Sequence, residues 1–130
     1  MSDLIRLRVT ATPAAFSVVR MVLGGVAARV DLSLEEIDDL YVAVEELLMA
    51  AASCGEEPRH ELLVEVGDDG LSVSAGPFRS DGLRARLTGQ TSELGLDLNT
   101  LMRGVVGSVQ VCAAPDDCYS VVFAKRRGVA

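Results

Sequence analysis

The chain has 130 residues, a formal net charge of −7 and 49% hydrophobic residues. This length and hydrophobic content suit one folded domain over residues 1–130 and exclude an intrinsically disordered chain. The acidic balance argues against direct nucleic-acid binding, which normally requires a basic face, and favours a basic protein surface as partner; acidity that serves only solubility is the alternative.

The N-terminal part predicts a half-buried strand followed by a helix. Apolar and polar residues alternate over residues 5–10, which is typical of a strand with one buried face. Thr12 and Pro13 predict the start of a helix, with the threonine as N-cap and the proline in the first turn. Gly24 and Gly25 lie inside this helix, where each glycine costs about 1 kcal/mol relative to alanine. Close packing against a neighbouring element would explain them.

The second helix is the most informative segment. Ser33 and Glu36 form the pattern of a capping box, and apolar residues then recur at helical spacing as far as Ala52. The predicted buried face contains Leu34, Ile37, Leu40, Tyr41, Val44, Leu47, Leu48 and Ala51. The opposite stripe, which would face a binding pocket, contains Asp39, Ala43, Glu46, Ala50 and Ser53.

The remainder of the chain predicts two hairpins and two more helical segments. They are expected at residues 61–66, 71–75, 83–87, 92–105, 107–113 and 119–124. Asp69-Gly70 is typical of a tight hairpin turn, and Ser92 predicts an N-cap. The predicted fold class is α/β, a two-layer sandwich in which helices cover one face of a mostly antiparallel sheet.

The order of these elements and the segment Val42-Ala43-Val44-Glu45-Glu46 resemble the RsbW/SpoIIAB type of anti-sigma factor and serine kinase, within the GHKL (histidine-kinase-like) ATPase superfamily. The resemblance extends from about residue 4 to residue 125. It implies a regulator that binds a sigma factor and is released by an anti-anti-sigma protein with a STAS domain. It also implies a homodimer formed through the first strand of the sheet.

The same resemblance implies a degraded nucleotide pocket. Glu46 matches the glutamate of the family's Glu-x-x-x-Asn box and is the candidate catalytic residue, but Ala50 replaces the asparagine that holds magnesium, and a methyl group cannot ligate this cation. Gly76 and Gly95 match single glycines of the Asp-x-Gly and Gly-x-Gly boxes and are the candidate nucleotide-binding residues. The adenine-reading aspartate is missing, and Glu93 replaces the other phosphate-loop glycine. We therefore expect neither a bound metal nor ATP turnover.

Arg20 matches an arginine of the family's first helix that lies on the surface meeting the sigma factor and its competitor. The resemblance therefore implies a partner-binding role for Arg20, and an ordinary exposed arginine is the alternative. Arg84 and Arg86, in the segment that corresponds to the ATP lid, could reach a phosphate or simply face solvent. Two other functions stay open: an ATP-dependent serine kinase acting on a STAS-domain protein, and an inactive scaffold that pairs with an active paralogue.

Membrane, export and cysteine patterns give further expectations. No run of 18 apolar residues and no export signal occurs, so we expect a cytoplasmic chain that does not span a membrane.

The odd count of three cysteines favours reduced thiols, although Cys112 and Cys118 could face each other across the last hairpin. His60, beside Arg59 at a strand start, is expected to be exposed.

Overall fold

The computed structural model describes residues 3–89 and 98–128. Its strands are β1 (Asp3–Thr10), β2 (Arg59–Val66), β3 (Gly70–Phe78), β4 (Val109–Ala113) and β5 (Tyr119–Arg126). Its helices are α1 (Pro13–Ala27), α2 (Leu34–Ser53), α3 (Asp81–Leu87) and α4 (Leu98–Val106), and a short 3-10 turn, Ala28–Val30, follows α1.

The five strands form one sheet in the order β1-β2-β3-β5-β4, and each neighbouring pair is antiparallel. Alternate residues of the sheet are buried beneath the helices, including Leu62, Val73 and Val121, whereas the opposite face stays partly exposed. This arrangement confirms the predicted two-layer α/β sandwich. The structure extends β3 beyond the predicted end at residue 75, because a β-bulge between Ala75 and Phe78 lets the strand continue along β5.

The predicted helix starts at Thr12 and Ser33 are confirmed, whereas the predicted N-cap Ser92 lies outside the described residues. The Thr12 hydroxyl accepts a hydrogen bond from the Ala15 N–H, and Pro13 occupies the first turn of α1. At α2, the Ser33 hydroxyl accepts from the Glu36 N–H at 3.1 Å, and the Glu36 carboxylate accepts from the Ser33 N–H at 2.8 Å. These paired hydrogen bonds satisfy backbone groups that a helix start leaves without a partner.

The burial of α2 differs from the predicted amphipathic pattern. Five of the eight predicted core residues are fully buried, but Leu34 is 81% exposed because it begins the helix at the edge of the domain. Ala50, predicted on the pocket-facing stripe, is buried where Leu98 and Leu101 of α4 approach α2, and Ala43 on the same stripe is also buried. Small residues at these positions let the two helices approach closely, so α2 is covered on two sides.

The prediction of close packing around Gly24 and Gly25 is wrong. A β-carbon added at either glycine would meet no atom within 4 Å. Both lie within α1, whose conformation other residues adopt readily. Nothing inside the domain therefore requires glycine at these two positions.

We expect Gly24→Ala and Gly25→Ala each to raise the free energy of unfolding by about 0.5–1 kcal/mol, because alanine loses less backbone entropy in a helix. Urea unfolding of the purified variants measures this gain. Gly107→Ala is the matched control: Gly107 has φ +84°, so a side chain there is expected to destabilise the fold. Loss of stability in both α1 variants would contradict the open environment.

The hydropathy of α1 is high for a helix of this domain. Among the described residues, the stretch Pro13–Val30 has a mean hydropathy of 1.4 and is long enough to cross a membrane by length and composition alone. Its side chains Val19, Leu23 and Ala27 are buried in the core. A mostly buried core helix has the same composition, but only 22% of this stretch is buried.

The three cysteines are free thiols. Cys112 lies opposite Ser120 in the β4–β5 register, and Cys118 precedes β5, with its thiol 3.6 Å from the Asp116 carbonyl oxygen. The possibility that the two cysteines face each other across the hairpin is therefore wrong. The residue register of the strands, which the sequence did not give, explains the difference.

Candidate functional site

The candidate catalytic residue Glu46 lies in a small groove between α2, α3 and α4. Its cavity volume is about 210 Å³, below the range of roughly 300–1,000 Å³ that is usual for ligand pockets. The described residues that line it are Glu46, Met49, Ala50, Ser53, Arg86, Leu98 and Leu101. Ala50 is only 6% exposed, so the position that would hold magnesium in the related box carries a packed methyl group.

The two arginines of the expected lid segment are engaged within the domain. The Arg86 guanidinium donates a hydrogen bond to the Ser53 hydroxyl at 3.1 Å. The Arg84 guanidinium lies 4.6 Å from the centre of the Tyr119 ring, a cation–π contact. Both arginines therefore contact neighbouring elements, while Arg84 stays exposed and Arg86 is half-buried. The alternative that they face solvent thus holds for Arg84, and a contact with phosphate stays a prediction.

The two candidate nucleotide-binding glycines have different outcomes. Gly76 lies inside β3 at the bulge, with φ +151°, and a β-carbon there would come within 3.1 Å of the Tyr119 carbonyl oxygen. Close contact with β5 thus gives a structural reason for glycine at this position. Gly95 and the neighbouring Glu93 lie outside the described residues, so their proposed roles stay predictions.

An aromatic cluster closes the end of the sheet beside α3. Phe78 and Tyr119 are buried, with their ring centres 5.9 Å apart, and the Tyr119 hydroxyl donates a hydrogen bond to the Ser80 carbonyl oxygen at 2.6 Å. Burial raises the pKa of Tyr119 to about 12, so the phenol keeps its proton at neutral pH. The Glu56 carboxylate accepts hydrogen bonds from the Arg79 and Ser80 N–H groups. These contacts fix the turn between β3 and α3.

His60 is buried, contrary to the expectation of an exposed residue. It is only 4% exposed, and its ring lies 5.1 Å from the ring of Phe78. Its side chain falls on the helix-covered face of β2, in register with Val9 of β1. Neither ring nitrogen has a hydrogen-bond partner, and such a buried polar group costs about 1–3 kcal/mol.

Stability is expected to fall as the pH decreases below 6.5. Burial lowers the pKa of His60 in the folded protein from the ordinary value of 6.5, so the unfolded chain binds the proton first. The contribution of neutral His60 to the free energy of unfolding is complete above pH 6.5. It is lost as the pH falls toward the pKa of His60 in the folded protein. Urea unfolding between about pH 8 and about pH 5 measures the effect, which His60→Phe should reduce. An unchanged pH dependence in that variant would assign the effect to other groups.

The candidate partner-binding residue Arg20 is joined to α2. Its guanidinium donates a hydrogen bond to the Asp38 carboxylate at 2.6 Å and lies 5.0 Å from the centre of the Tyr41 ring. The Glu45 carboxylate, which lies close by, raises the pKa of the Tyr41 phenol. The side chains of Arg20 and Asp38 are 55% and 53% exposed. A positioned polar cluster therefore faces solvent at the junction of α1 and α2.

Apolar side chains surround this polar cluster. Of the six large apolar side chains that are strongly exposed in residues 3–89 and 98–128, five lie on α1 and α2. They are Val18 and Met21 on α1, and Leu34, Val42 and Met49 on α2. Together with Arg20 and Asp38 they define what we call the α1–α2 face. Exposed apolar groups concentrated on one layer are typical of an interaction surface.

Carboxylates dominate the charge of α2. The helix carries Glu35, Glu36, Asp38, Asp39, Glu45 and Glu46 and has no basic residue. Asp39 is bonded to Lys125 at 2.8 Å, and Asp38 to Arg20, whereas the structure gives Glu35 and Glu46 no ion-pair partner among the described residues. The surface therefore combines apolar contact area with negative charge.

Arg20 was predicted on a partner-binding surface, but its exposed apolar neighbours were not predicted. Val18 and Met21 are three residues apart and thus share one side of α1, outside the buried stripe that contains Val19 and Leu23. Val42 and Met49 are seven residues apart, about two helical turns, and so share one side of α2. A second apolar stripe in an otherwise core-facing helix was therefore the signal that could have revealed the surface.

No protein-family model matches the chain. A segment of 68 residues is 35% identical to the serine-protein kinase RsbW of Bacillus pumilus (strain SAFR-032). This segment covers 52% of the chain and 38% of the length of that kinase. The similarity supports a distant relationship to RsbW-type proteins.

Proposed function

We propose that the chain is an anti-sigma-factor-like regulator that sequesters a sigma factor on its α1–α2 face. A STAS-domain protein then releases the sigma factor by competing for the same surface. The observation that carries this proposal is the concentration of exposed apolar side chains around Arg20 and Asp38 on two packed helices. Distant similarity to an RsbW protein supports the class of function.

The physical basis of the proposed binding is apolar burial guided by charge. Met21 and Met49, which are 75% and 52% exposed, offer flexible apolar contacts that adapt to a partner surface. The acidic residues of α2 attract a basic surface, and opposite charges increase the association rate and favour correct partners. Sigma-factor surfaces that grip DNA are basic, so an acidic antagonist would cover them.

The proposed mechanism needs no phosphate transfer. In the related kinases, magnesium neutralises charge on the phosphates, and phosphoryl transfer depends on that neutralisation. Ala50 supplies no oxygen ligand, and its methyl group is buried beside α4. We therefore propose that control operates through partner exchange. Any ATP bound near Glu46, with or without magnesium, is neither hydrolysed nor used for phosphate transfer.

We also propose a homodimer that forms through β1. This strand lies at one edge of the sheet, so its outer backbone groups are available to a second copy. Arg6 and Arg8 of β1 both contact the Glu61 carboxylate, at 3.3 and 3.9 Å, which places charge on the open sheet face. Sedimentation should give a dimer at tens of micromolar, and a monomer at that concentration would remove this part of the proposal.

A serine kinase acting on the STAS-domain protein is the second candidate function. Its support is the similarity to a protein named as a serine-protein kinase, together with Glu46 at the edge of the groove beside α4. Calorimetric titration with ATP and magnesium distinguishes the two functions. Radiolabelled transfer to a STAS-domain protein, abolished in Glu46→Ala, would establish the kinase instead.

Recovery of native partners tests the main proposal. The purified chain is used as bait in extracts of the source cell, and the bound proteins are identified by mass spectrometry. We expect a sigma factor or a STAS-domain protein. Arg20→Glu should weaken the complex by about 2–3 kcal/mol if the contact becomes buried, and by under about 1 kcal/mol if it stays at the rim. Arg103→Glu, an equal charge change on α4, is the control.

A further inference from the structure

The side of α1 that faces away from the core carries no charged residue. Six of its positions recur at intervals of three and four residues and form what we call the α1 outer stripe: Ala14, Ser17, Val18, Met21, Gly24 and Gly25. Arg20, the single charged residue of α1, lies beside the stripe and is bonded to Asp38 of α2. A surface helix normally has charged and polar residues on its outer side, whereas a helix that is apolar all round is normally covered.

The two glycines of the stripe indicate how closely the occupant approaches. A β-carbon added at Gly24 or Gly25 would meet no atom of the domain within 4 Å, and each glycine destabilises a helix relative to alanine. A requirement outside the domain accounts for them, since glycine lets a second backbone come close to the helix. Met21, one helical turn before Gly25, is 75% exposed and supplies a flexible apolar contact beside this point.

The charges of the neighbouring helix indicate the chemistry of this occupant. The outward side of α2 alternates carboxylates with apolar side chains, in the order Glu35, Asp38, Val42, Glu45 and Met49. These carboxylates would repel the anionic headgroups of a cell membrane. A second copy of the chain would bring the same carboxylates to the contact. A partner that carries basic groups beside an apolar surface therefore fits better than either.

We propose that the partner of the α1–α2 face presents a basic amphipathic helix, whose apolar side packs on the α1 outer stripe at Gly24 and Gly25 and whose basic residues lie beside Glu35 and Glu45. Amphipathic helices bind such surfaces through apolar anchors at helical spacing. Opposite charges along the contact increase the association rate and fix the orientation of the helix. This inference rests on the proposed function, because it specifies how a partner occupies the same face.

Two synthetic peptides test this contact on the intact protein. Each has about 20 residues, or roughly 30 Å of helix, with leucine and alanine on one side and either lysine or glutamate on the other. ¹³C-labelled methionine methyl groups report binding: Met21 and Met49 are exposed on the face, and the fully buried Met102 is the internal reference. We expect the lysine peptide to shift the Met21 signal saturably and the glutamate peptide to bind about tenfold more weakly or worse. Equal binding of the two peptides, or no saturable shift of Met21, would overturn the proposal.

A matched pair of glycine variants locates the contact. Gly25→Leu fills the open space above the stripe and should weaken binding of the lysine peptide by about tenfold or more, while leucine, a good helix former, keeps α1 intact. Gly104→Leu is the control, because Gly104 lies in α4 and also has no atom within 4 Å of an added β-carbon. Glu35→Gln should weaken binding by a few fold, since one attractive charge is lost. Unchanged binding by Gly25→Leu would contradict the close approach of a helix.

The outcomes separate this inference from the proposed function. A recovered partner whose affinity falls with Met21→Glu but not with Gly25→Leu would keep the partner on the α1–α2 face and remove the helix contact. Binding of the lysine peptide without recovery of a sigma factor or a STAS-domain protein would remove only the proposed function. A Met21 signal that shifts with protein concentration alone would assign the stripe to a second copy, and a shift with zwitterionic lipid vesicles would assign it to a membrane; either result would overturn the inference.

Discussion

Met21→Glu is expected to weaken the complex with a recovered sigma factor by about 2–4 kcal/mol, which corresponds to roughly a 30-fold to 1,000-fold loss of affinity. Met21 is the most exposed large apolar side chain of α1, and in the proposed complex it lies in the apolar centre of the α1–α2 face. Glutamate there would remove apolar contact area and bury an unpaired charge that repels the acidic residues of α2. Titration of the partner by calorimetry measures the loss.

Two further variants separate this contact from a general effect of charge. Met21→Leu keeps an apolar side chain of similar volume and should bind within a few fold of the unmodified protein. Gln110→Glu adds the same negative charge to an exposed position of β4, the strand at the opposite edge of the sheet from β1, and should also bind normally. The unfolding free energy of Met21→Glu should stay unchanged, because the side chain is 75% exposed. Normal binding by Met21→Glu would place the partner on another surface.

Tyr119→Ala is expected to lower the free energy of unfolding by about 3–5 kcal/mol. The ring is 1% exposed and packs against Phe78, and its hydroxyl supports the Ser80 carbonyl at the start of α3. Truncation would leave a cavity in the core and release the turn that carries Arg79. Because small domains are stabilised by only about 5–15 kcal/mol in total, the variant should unfold at much lower urea concentration.

The hydrogen bond and the ring can be separated by Tyr119→Phe. This change keeps the ring but leaves the Ser80 carbonyl without its donor, so the expected loss is about 1–2 kcal/mol. Val122→Ala, at a half-buried position of the same strand on the open sheet face, is the control for β5 and should cost less than Tyr119→Ala. If Tyr119→Ala and Val122→Ala cost the same, the aromatic cluster would not be the main support of this end of the sheet.

The site was less predictable than the fold because it depends on contacts between distant segments. Glu46 and Ala50 were placed correctly on one side of α2 by helical spacing, but the packing of α4 that buries Ala50 joins residues about fifty positions apart. The engagement of Arg86 by Ser53 and of Arg84 by Tyr119 depends on the same assembly. Local patterns carry no information on such pairings, so both arginines were interpreted as free groups.

The amino-acid sequence by itself determined the elements and their layering. Capping residues such as Thr12 and Ser33 fix helix starts by hydrogen bonds within one turn, and alternating apolar residues fix which face of a strand is buried. These signals act over a few residues and are therefore readable from the sequence. They were sufficient to predict the α/β sandwich and the exposed charges of β1.

Only the tertiary structure decided which polar groups are buried and which apolar groups remain outside. His60 is buried on the helix-covered face of β2 beside Phe78, and Gly76 is confined by the backbone of β5. Met21 remains exposed because the core has room for only one stripe of α1. The physical reason is that burial is a property of packing between elements, whereas periodicity describes a single element.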